Sequence, residues 1–314
     1  MPAGEEGSQE HTQTAPGVTL AICAFNEAAN ISRQIELILA EDPNAGFVTE
    51  VLVVSSGSTD GTNELVRDFS RRVPRLRLIE EAERRGKVAA VNIVIREAKC
   101  DRIVLMGADC ILSRGALRRL AAAFADERVG GVGTRNVPVN GKESLMARAA
   151  DLMWQLHHAV VLGRPVLGGD IVAFRRPGAY LPENGDVNDD FLIECQLRDE
   201  GYTIAYDPEA LTFMRVPTSV GDFVRQRRRI HFGFLHAWRS SRRVKSTRAL
   251  RVIVAAFKVL GRRPQLLPLL AFLVVIEAWS RLLAILDAVR GRSHAVWAPS
   301  ASTKGRIEIP GAAL

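Results

Sequence analysis

The residues able to do chemistry stand where apolar runs stop. Ile103 to Met106 reads as a buried strand that passes through Gly107-Ala108 into the lone carboxylate of Asp109. A short apolar run bounded by glycine is the pattern of a central strand in a parallel sheet. In open α/β sheets, ligands bind outside the carboxyl ends of such strands, so Asp109 stands where a nucleotide or its metal would sit. The competing reading makes it the cap of a helix over Ser113–Phe124, because aspartate is a favoured cap residue. A pair of acids, Asp189-Asp190, opens a second helical pattern, Phe191–Glu200. The helix dipole favours acids there, yet a cap needs only one, and two adjacent acids are costly unless a cation or a proton is used. Gly86-Lys87 introduces a helix over Val88–Ala98, and the run Arg225–Arg229 lies in another. Gln226 and Arg229 are three apart and share a helix face, which allows a shared ligand. A solvated face or a lipid-headgroup patch are the alternatives. Gly168-Gly169 falls inside a strand pattern over Val166–Phe174, where a ligand can approach the backbone closely.

Several chemistries are excluded. No G-x-G-x-x-G follows the first strand, and Gly86-Lys87 lacks the upstream glycine and the Ser/Thr of a Walker A loop. There is no G-x-S-x-G elbow. His157-His158 has no metal spacing with Cys or acids and reads as helix surface or packing. The four cysteines, Cys23, Cys100, Cys110 and Cys195, form no C-x-x-C pair, which argues for reduced thiols in a cytosolic compartment.

The elements that must position these residues alternate. Val18–Phe25 is a first strand, and Asn26-Glu27 opens a helix with Ile31, Ile35, Ile38 and Leu39 at helical spacing. Glu50–Ser55 is a second strand, ending in the turn and cap cluster Ser56–Thr62, and Leu76–Ile79 is a third. With the strand before Asp109, strand and helix alternate four times at roughly 25–30 residue intervals. That is the signature of βαβ units and a parallel sheet with helices on both faces. After Gly130 the pattern changes: a helix over Lys142–Leu162, short strands over Tyr202–Tyr206 and Leu211–Arg215, and a basic helix over Val220–Arg239.

Over roughly residues 17–245 the chain resembles the family 2 glycosyltransferases of the GT-A fold. Ala24-Phe25-Asn26-Glu27 is similar to their "P-x-Y-N-E" opening, and Ser55–Thr62 to "D-D-G-S-T-D-G-T". Gly86-Lys87 with Ala90 and Asn92 is similar to "G-K-x-x-A-x-N", and Gly107-Ala108-Asp109 to the "D-A-D" metal motif. Asp189-Asp190 with Arg198, Gly201-Tyr202 and Tyr206–Ala210 is similar to "E-D…R…G-Y…Y-x-P-x-A", and Gln226–Ile230 to "Q-x-x-R-W". Each match is weak alone; six in order at strand ends are a strong signal.

The resemblance implies an α/β GT-A (nucleotide-diphospho-sugar transferase) fold with a mixed, mainly parallel sheet and helices on both faces, to which the apolar runs after residue 246 add C-terminal membrane-associated helices. It implies a nucleotide-sugar donor bound by Ala24, Asn26, Glu27, Ser56, Asp60, Lys87, Asp109, Gln226 and Arg229. It makes Asp190 the catalytic base of an inverting transfer, places Gly169 and Asp189 on the acceptor side, and makes Asp109 the ligand of a Mn²⁺ or Mg²⁺ ion, hard cations suited to oxygen ligands. Lys87 and Arg229 would add positive charge at the diphosphate. Four departures stand out, one of them Asp189 in place of Glu, which keeps the charge. Ser55-Ser56 replaces two acids, which weakens the expectation of uracil; Gly107 replaces the first acid of "D-A-D"; Ile230 replaces a tryptophan, which favours transfer of one or a few sugars.

At 314 residues with 47% apolar content the chain can bury a large core, and its net charge of +7 is concentrated after residue 220. The basic run lacks interleaved stacking aromatics apart from Phe232, Phe234 and Trp238, which argues against nucleic acid. Residues 1–17 are polar, begin acidic and read as a disordered tail rather than a signal peptide. The catalytic domain is expected over 18–245, a membrane-associated helical segment over 246–290 and a polar tail over 291–314. Ala249–Leu260 reads as an amphipathic surface helix, and the run 265–289 is long enough to span. Within it Glu277 and Arg281, four apart, can pair. Basic residues from Arg239 to Arg263 would face anionic lipid. The expected setting is the cytoplasmic face of the cell membrane, with a lipid-linked or cell-envelope glycan as acceptor. A soluble transferase acting on a small molecule and a catalytically silent membrane-bound partner are the alternatives.

Overall fold

A computed structural model of the chain describes residues 17–182, 188–240, 248–292, 294, 303 and 307, with side chains of 237–240 and 248–251 excepted. Four strands run parallel as the alternation predicts: β1 (Val18–Ala24), β2 (Val48–Ser56), β3 (Leu76–Glu81) and β4 (Arg102–Gly107). In β1, β2 and β4 almost every apolar side chain is buried because both faces are covered, whereas β3, at the sheet edge, fully buries only Leu76. The connecting helices are α1 (Ile31–Glu41), α2 (Thr62–Ser70) and α3 (Lys87–Glu97).

The second half makes the sheet mixed. β5 (Cys110–Leu112) follows Asp109 at once, and α4 (Ala116–Ala122) comes next, its N-cap being Gly115. A strand thus separates Asp109 from the helix, so Asp109 does not cap it. β6 (Val129–Pro138), α5 (Leu145–Val161), β7 (Ile171–Arg175), α6 (Asp189–Asp199), β8 (Thr203–Met214) and α7 (Val220–Ser240) complete the domain. Among the described residues the sheet order is β3-β2-β1-β4-β7-β6-β8-β5. β7 is antiparallel to β4 and β6, β6 is parallel to β8, and β8 is antiparallel to β5.

The glycine-rich stretch from Gly130 is β6, unmarked in the sequence because its glycines lack β propensity. The two short strands expected at 202–215 are one strand, in which the partner register of β6 jumps from Asp207 to Leu211, so Pro208 to Ala210 bulge out of the ladder. Proline is tolerated in a strand at such bulges.

α8 (Arg248–Arg262) and α9 (Leu267–Val289) pack on α5 and α7. Glu277 does not pair with Arg281. It pairs instead with Arg227 of α7 at 2.5 Å and with His231 at 2.8 Å. Asp287, fully buried, pairs with Arg228 and with His294. The basic run is therefore neither a purely solvated face nor a headgroup patch at Arg227 and Arg228, because α9 docks on it. Arg239–Arg251 of the basic belt lie outside the described side chains; Lys258, Arg262 and Arg263 are exposed. Most of the expected tails, 1–16 and 295–314 except Thr303 and Ile307, lie outside the described residues as well. Ile307 is buried among Ile111, Phe213 and neighbours, and its carbonyl accepts from Arg33.

Candidate active site

The strand ends and the start of α6 converge on one side of the sheet. Side chains alternate along β4: Val104 and Met106 face the cluster of α1 and α4, while Ile103 and Leu105 face that of α3 and α6. The continuation of the second face, past the last apolar residues, holds the charged groups.

Lys87 is the first residue of α3, behind the Gly86 cap. Its ammonium lies 3.0 Å from Asp189 Oδ2. Burial opposes the charge, yet Asp189, with Asp190 and Asp170 nearby, raises the Lys87 pKa above the ordinary lysine value. Asp189 is buried in the first turn of α6. Beside it, burial and the like charge of Asp189 push the Asp190 carboxyl up to about 7. Asp190 Oδ1 accepts the N–H of Phe191 at 2.7 Å, and Oδ2 faces the floor at Gly168. The acid pair thus opens α6 and at the same place meets the Lys87 ammonium.

Arg229 points from α7 into the same site. Burial lowers its pKa to about 10 against the pull of Asp189 and Asp170. Arg84 is close enough to repel it, and carries its own guanidinium 4.0 Å from the centre of the Phe25 ring. Asn188 Nδ2 donates to the Ile230 carbonyl at 3.0 Å, and Phe191 meets Phe234 edge to face, which ties α6 to α7. Gln226 lies on α7 one turn before Arg229, half-buried.

The loops after β1 and β2 are pinned to each other. Asn26, in a left-handed conformation at φ 52°, donates its N–H to Ser58 Oγ and accepts from the Thr59 N–H at 2.9 Å. Glu27 donates its N–H to Thr62 Oγ1, and Asp60 accepts from the N–H groups of Ala28 and Thr62. Asn26 and Asp60 therefore shape the loop walls, and Ala24 is buried beneath them. Ser56 donates to Glu81 Oε2 at 2.5 Å across the β2–β3 register. A carboxylate absent at residue 56 is thus present on the neighbouring strand.

Four residues join the site that motif reading passed over. Asp170 precedes β7, and burial together with the charge of Asp109 pushes it up to about 6. His157, from α5, places Nε2 3.5 Å from the position a Cβ on Gly168 would take, a point that is 3.6 Å from Asp190 Oδ2. Asn136, on β6, is buried with neither carboxamide atom hydrogen-bonded, and packs on Gly169. Arg84 is the fourth. The only sequence signal was the Gly168-Gly169 pair, which marks where backbone and side chains crowd. His158 is a packing residue, bonded to the Tyr206 hydroxyl at 2.6 Å. The four cysteines are free. A groove of about 540 Å³ between α1, β5 and α4 contains none of these residues.

A mixed sheet with carboxylates and cations gathered at the strand ends is an α/β arrangement suited to an anionic ligand and its cation. The chain matches the model described as Glycosyl transferase family 2 over residues 19–174 and that of Glycosyl transferase family group 2 over residues 102–299. It belongs to the family 2 glycosyltransferases. The poly-beta-1,6-N-acetyl-D-glucosamine synthase of Staphylococcus aureus (strain COL) is 25% identical over 221 residues, covering 67% of this chain and 53% of that protein. The chain thus spans about half the length of the curated relatives it matches. Mannosyltransferase PcManGT from Pyrobaculum calidifontis, solved in complex with GDP-Man and Mn²⁺, superposes with a TM-score of 0.61 at 24% identity, covering 88% of this chain and 87% of that one. GalNAc-T7, solved with UDP, GalNAc and Mn²⁺, superposes with a TM-score of 0.51 at 13% identity, covering 64% of this chain and 44% of that one. Both share the GT-A fold with this protein.

Proposed function

We propose that the protein is an inverting, metal-dependent glycosyltransferase that moves a sugar from a nucleotide-sugar donor to a lipid-linked or cell-envelope glycan at a membrane surface. The observation that supports this most is the convergence of Lys87, Asp189, Asp190 and Arg229 beside Asp109 on one side of the sheet. Burial and Asp189 push the Asp190 carboxyl up to about 7, which suits it to accept a proton near neutral pH, as a general base requires. It takes the proton of the acceptor hydroxyl as that oxygen bonds to the anomeric carbon and the bond to the diphosphate breaks on the opposite face. A single displacement of this kind inverts the configuration.

Lys87 keeps Asp189 and still has donors for a phosphate oxygen, since an ammonium carries three N–H groups. Arg229 adds a second fixed charge where negative charge develops on the leaving group. The nucleoside lies along Ala24, Asn26, Glu27, Ser56 and Asp60, with Gln226 on the far wall, and Gly169 and Asp189 face the acceptor. Among the described residues no group of three or more His, Cys, Asp or Glu side chains could hold a metal ion unaided. That fits Mg²⁺ or Mn²⁺, which are held by one or two carboxylates plus substrate phosphates and water. Asp109 offers such a carboxylate. A bound ion would neutralise the departing diphosphate.

The membrane reading rests on α9. Pro264–Val289 is long and apolar enough to cross a bilayer. Glu277 and Asp287 hold it along the polar helix α7, while Val274, Val275, Trp279, Leu282, Ile285 and Leu286 face outward. Phe257 on α8 is also exposed. A helix clamped on one face and apolar on the other lies in the interface, and exposed Lys258, Arg262 and Arg263 suit anionic headgroups.

Calorimetry on detergent-solubilised protein with UDP-, GDP- and dTDP-sugars, in Mn²⁺ and in chelator, tests the reading. Metal-dependent binding of one nucleotide class is expected. A folded protein that binds none of them refutes it.

A further inference from the structure

The family motif expects two acids around Ala108, and this chain has only Asp109, with glycine at 107. The sheet shows where the other carboxylate is. β4 and β7 run antiparallel with Met106 opposite Ile171. The next pair is Gly107 and Asp170, joined by the Gly107 N–H donating to the Asp170 carbonyl at 3.2 Å. Directly opposed residues project to the same face with Cβ positions about 4.5–5.5 Å apart. The alternation agrees: Leu105 and Val172, two residues from each, both lie in the cluster of α3 and α6.

Asp109 reaches back towards the same spot. A Cβ on Gly107 would stand 2.8 Å from Asp109 Oδ1. The carboxylate of Asp109 therefore occupies the space above Gly107, facing the side chain that projects from Asp170. Among the described residues no hydrogen bond or ion pair is made by either carboxylate group.

A second, independent observation adjoins it. Asn136 is 6% exposed, and both atoms of its carboxamide lack partners. It stands against Gly169, whose Cβ would lie 2.1 Å from Asn136 Nδ2 and whose φ is +118°. Burying an unsatisfied amide costs about 1–3 kcal/mol, a cost that a ligand oxygen or a hydrated ion beside Asp170 would offset.

We propose that Asp170 is the second carboxylate of the divalent-cation site: with Asp109 it binds Mg²⁺ or Mn²⁺, taking over on β7 the place that an acid at residue 107 would have on β4. The Asn136 amide, against Gly169 next to Asp170, would be available to hydrogen-bond a water or phosphate oxygen there. The proposal rests on the metal-dependent reading above, which Asp109 alone would also satisfy.

The test is Mn²⁺ binding, followed by electron paramagnetic resonance on the full chain in detergent, with Mn²⁺ alone and with UDP or GDP added. Asp170→Asn and Asp109→Asn should each weaken binding about tenfold or more, the loss typical of a disturbed metal site. The exchange Gly107→Asp with Asp170→Asn should return affinity to within about threefold of the wild type, since the acid is only moved across the ladder. A wild type that binds Mn²⁺ and loses it in Asp109→Asn, but not in Asp170→Asn, overturns this proposal and leaves the metal-dependent reading standing. Loss in Asp170→Asn that the exchange does not repair, in proteins with unchanged melting curves, overturns it too. A wild type that binds no Mn²⁺ with or without nucleotide overturns both.

Discussion

Replacing Asp190 by Asn should damage catalysis and strengthen the fold at once. The carboxyl titrates near 7 in the folded chain because burial and Asp189 disfavour its charge. An unfolded aspartate titrates near about 3.9. Between those values the native state holds a proton that the unfolded state has lost, so stability falls as pH rises through that window. The gap between the two values, converted at about 1.4 kcal/mol per pH unit, sets a ceiling of about 4 kcal/mol. The group is partly exposed and shares Lys87 with Asp189, so about 1–2 kcal/mol is the realistic penalty. Asn carries no charge and escapes it. Urea melts at pH 5 and pH 8 should therefore show the variant gaining stability over wild type mainly at pH 8. Transfer should fall about 10²- to 10⁴-fold, as for loss of a general base, while donor affinity stays within about threefold because the base acts in the transition state. Retained turnover would refute the catalytic assignment. A stability gain equal at both pH values would refute the electrostatic reasoning.

Other outcomes follow from the same geometry. The wild-type rate should decline as pH falls through about 7, as the base protonates; a flat acid limb in kcat/KM would contradict this. Gly169→Ala should destabilise the fold, since its Cβ would meet Asn136 Nδ2 at 2.1 Å. Adding Asn136→Ala should restore part of that loss but leave about 1–2 kcal/mol from the left-handed backbone, measurable by thermal melts of the single and double variants. Lys87→Ala should weaken donor binding and also lower stability, because it leaves Asp189 buried without its ion pair; loss of a buried partner costs about 3–5 kcal/mol at most, read by calorimetry and urea melts. Trp279→Glu with Leu282→Glu, both on the outward face of α9, should move the protein from pelleted anionic vesicles to the supernatant while circular dichroism stays unchanged.

The sequence carried much of this by itself. The apolar runs of β1, β2 and β4 are buried on both faces, so their pattern reads as strands of a parallel sheet. Asp109 is legible because the carboxyl ends of parallel strands meet at one edge, whereas Lys87 and Asp190 open helices and are marked only by the motif resemblance and, for Asp190, by the adjacent acid. What the sequence could not show depends on pairing between distant segments. Strand β6 is glycine-rich and shows no period, and β8 hides its continuity behind Pro208. Whether Glu277 pairs within its own helix or with Arg227 is decided by which helix packs beside it, fifty residues away. Asn26 and Asp60 look like ligands in a motif, yet much of their hydrogen bonding goes to the backbone of the opposite loop. Asp170 stands alone in the sequence, sixty-one residues from Asp109. Only the antiparallel register of β4 and β7 sets it across from Gly107, because a ladder relates residues by position in space and not by separation along the chain.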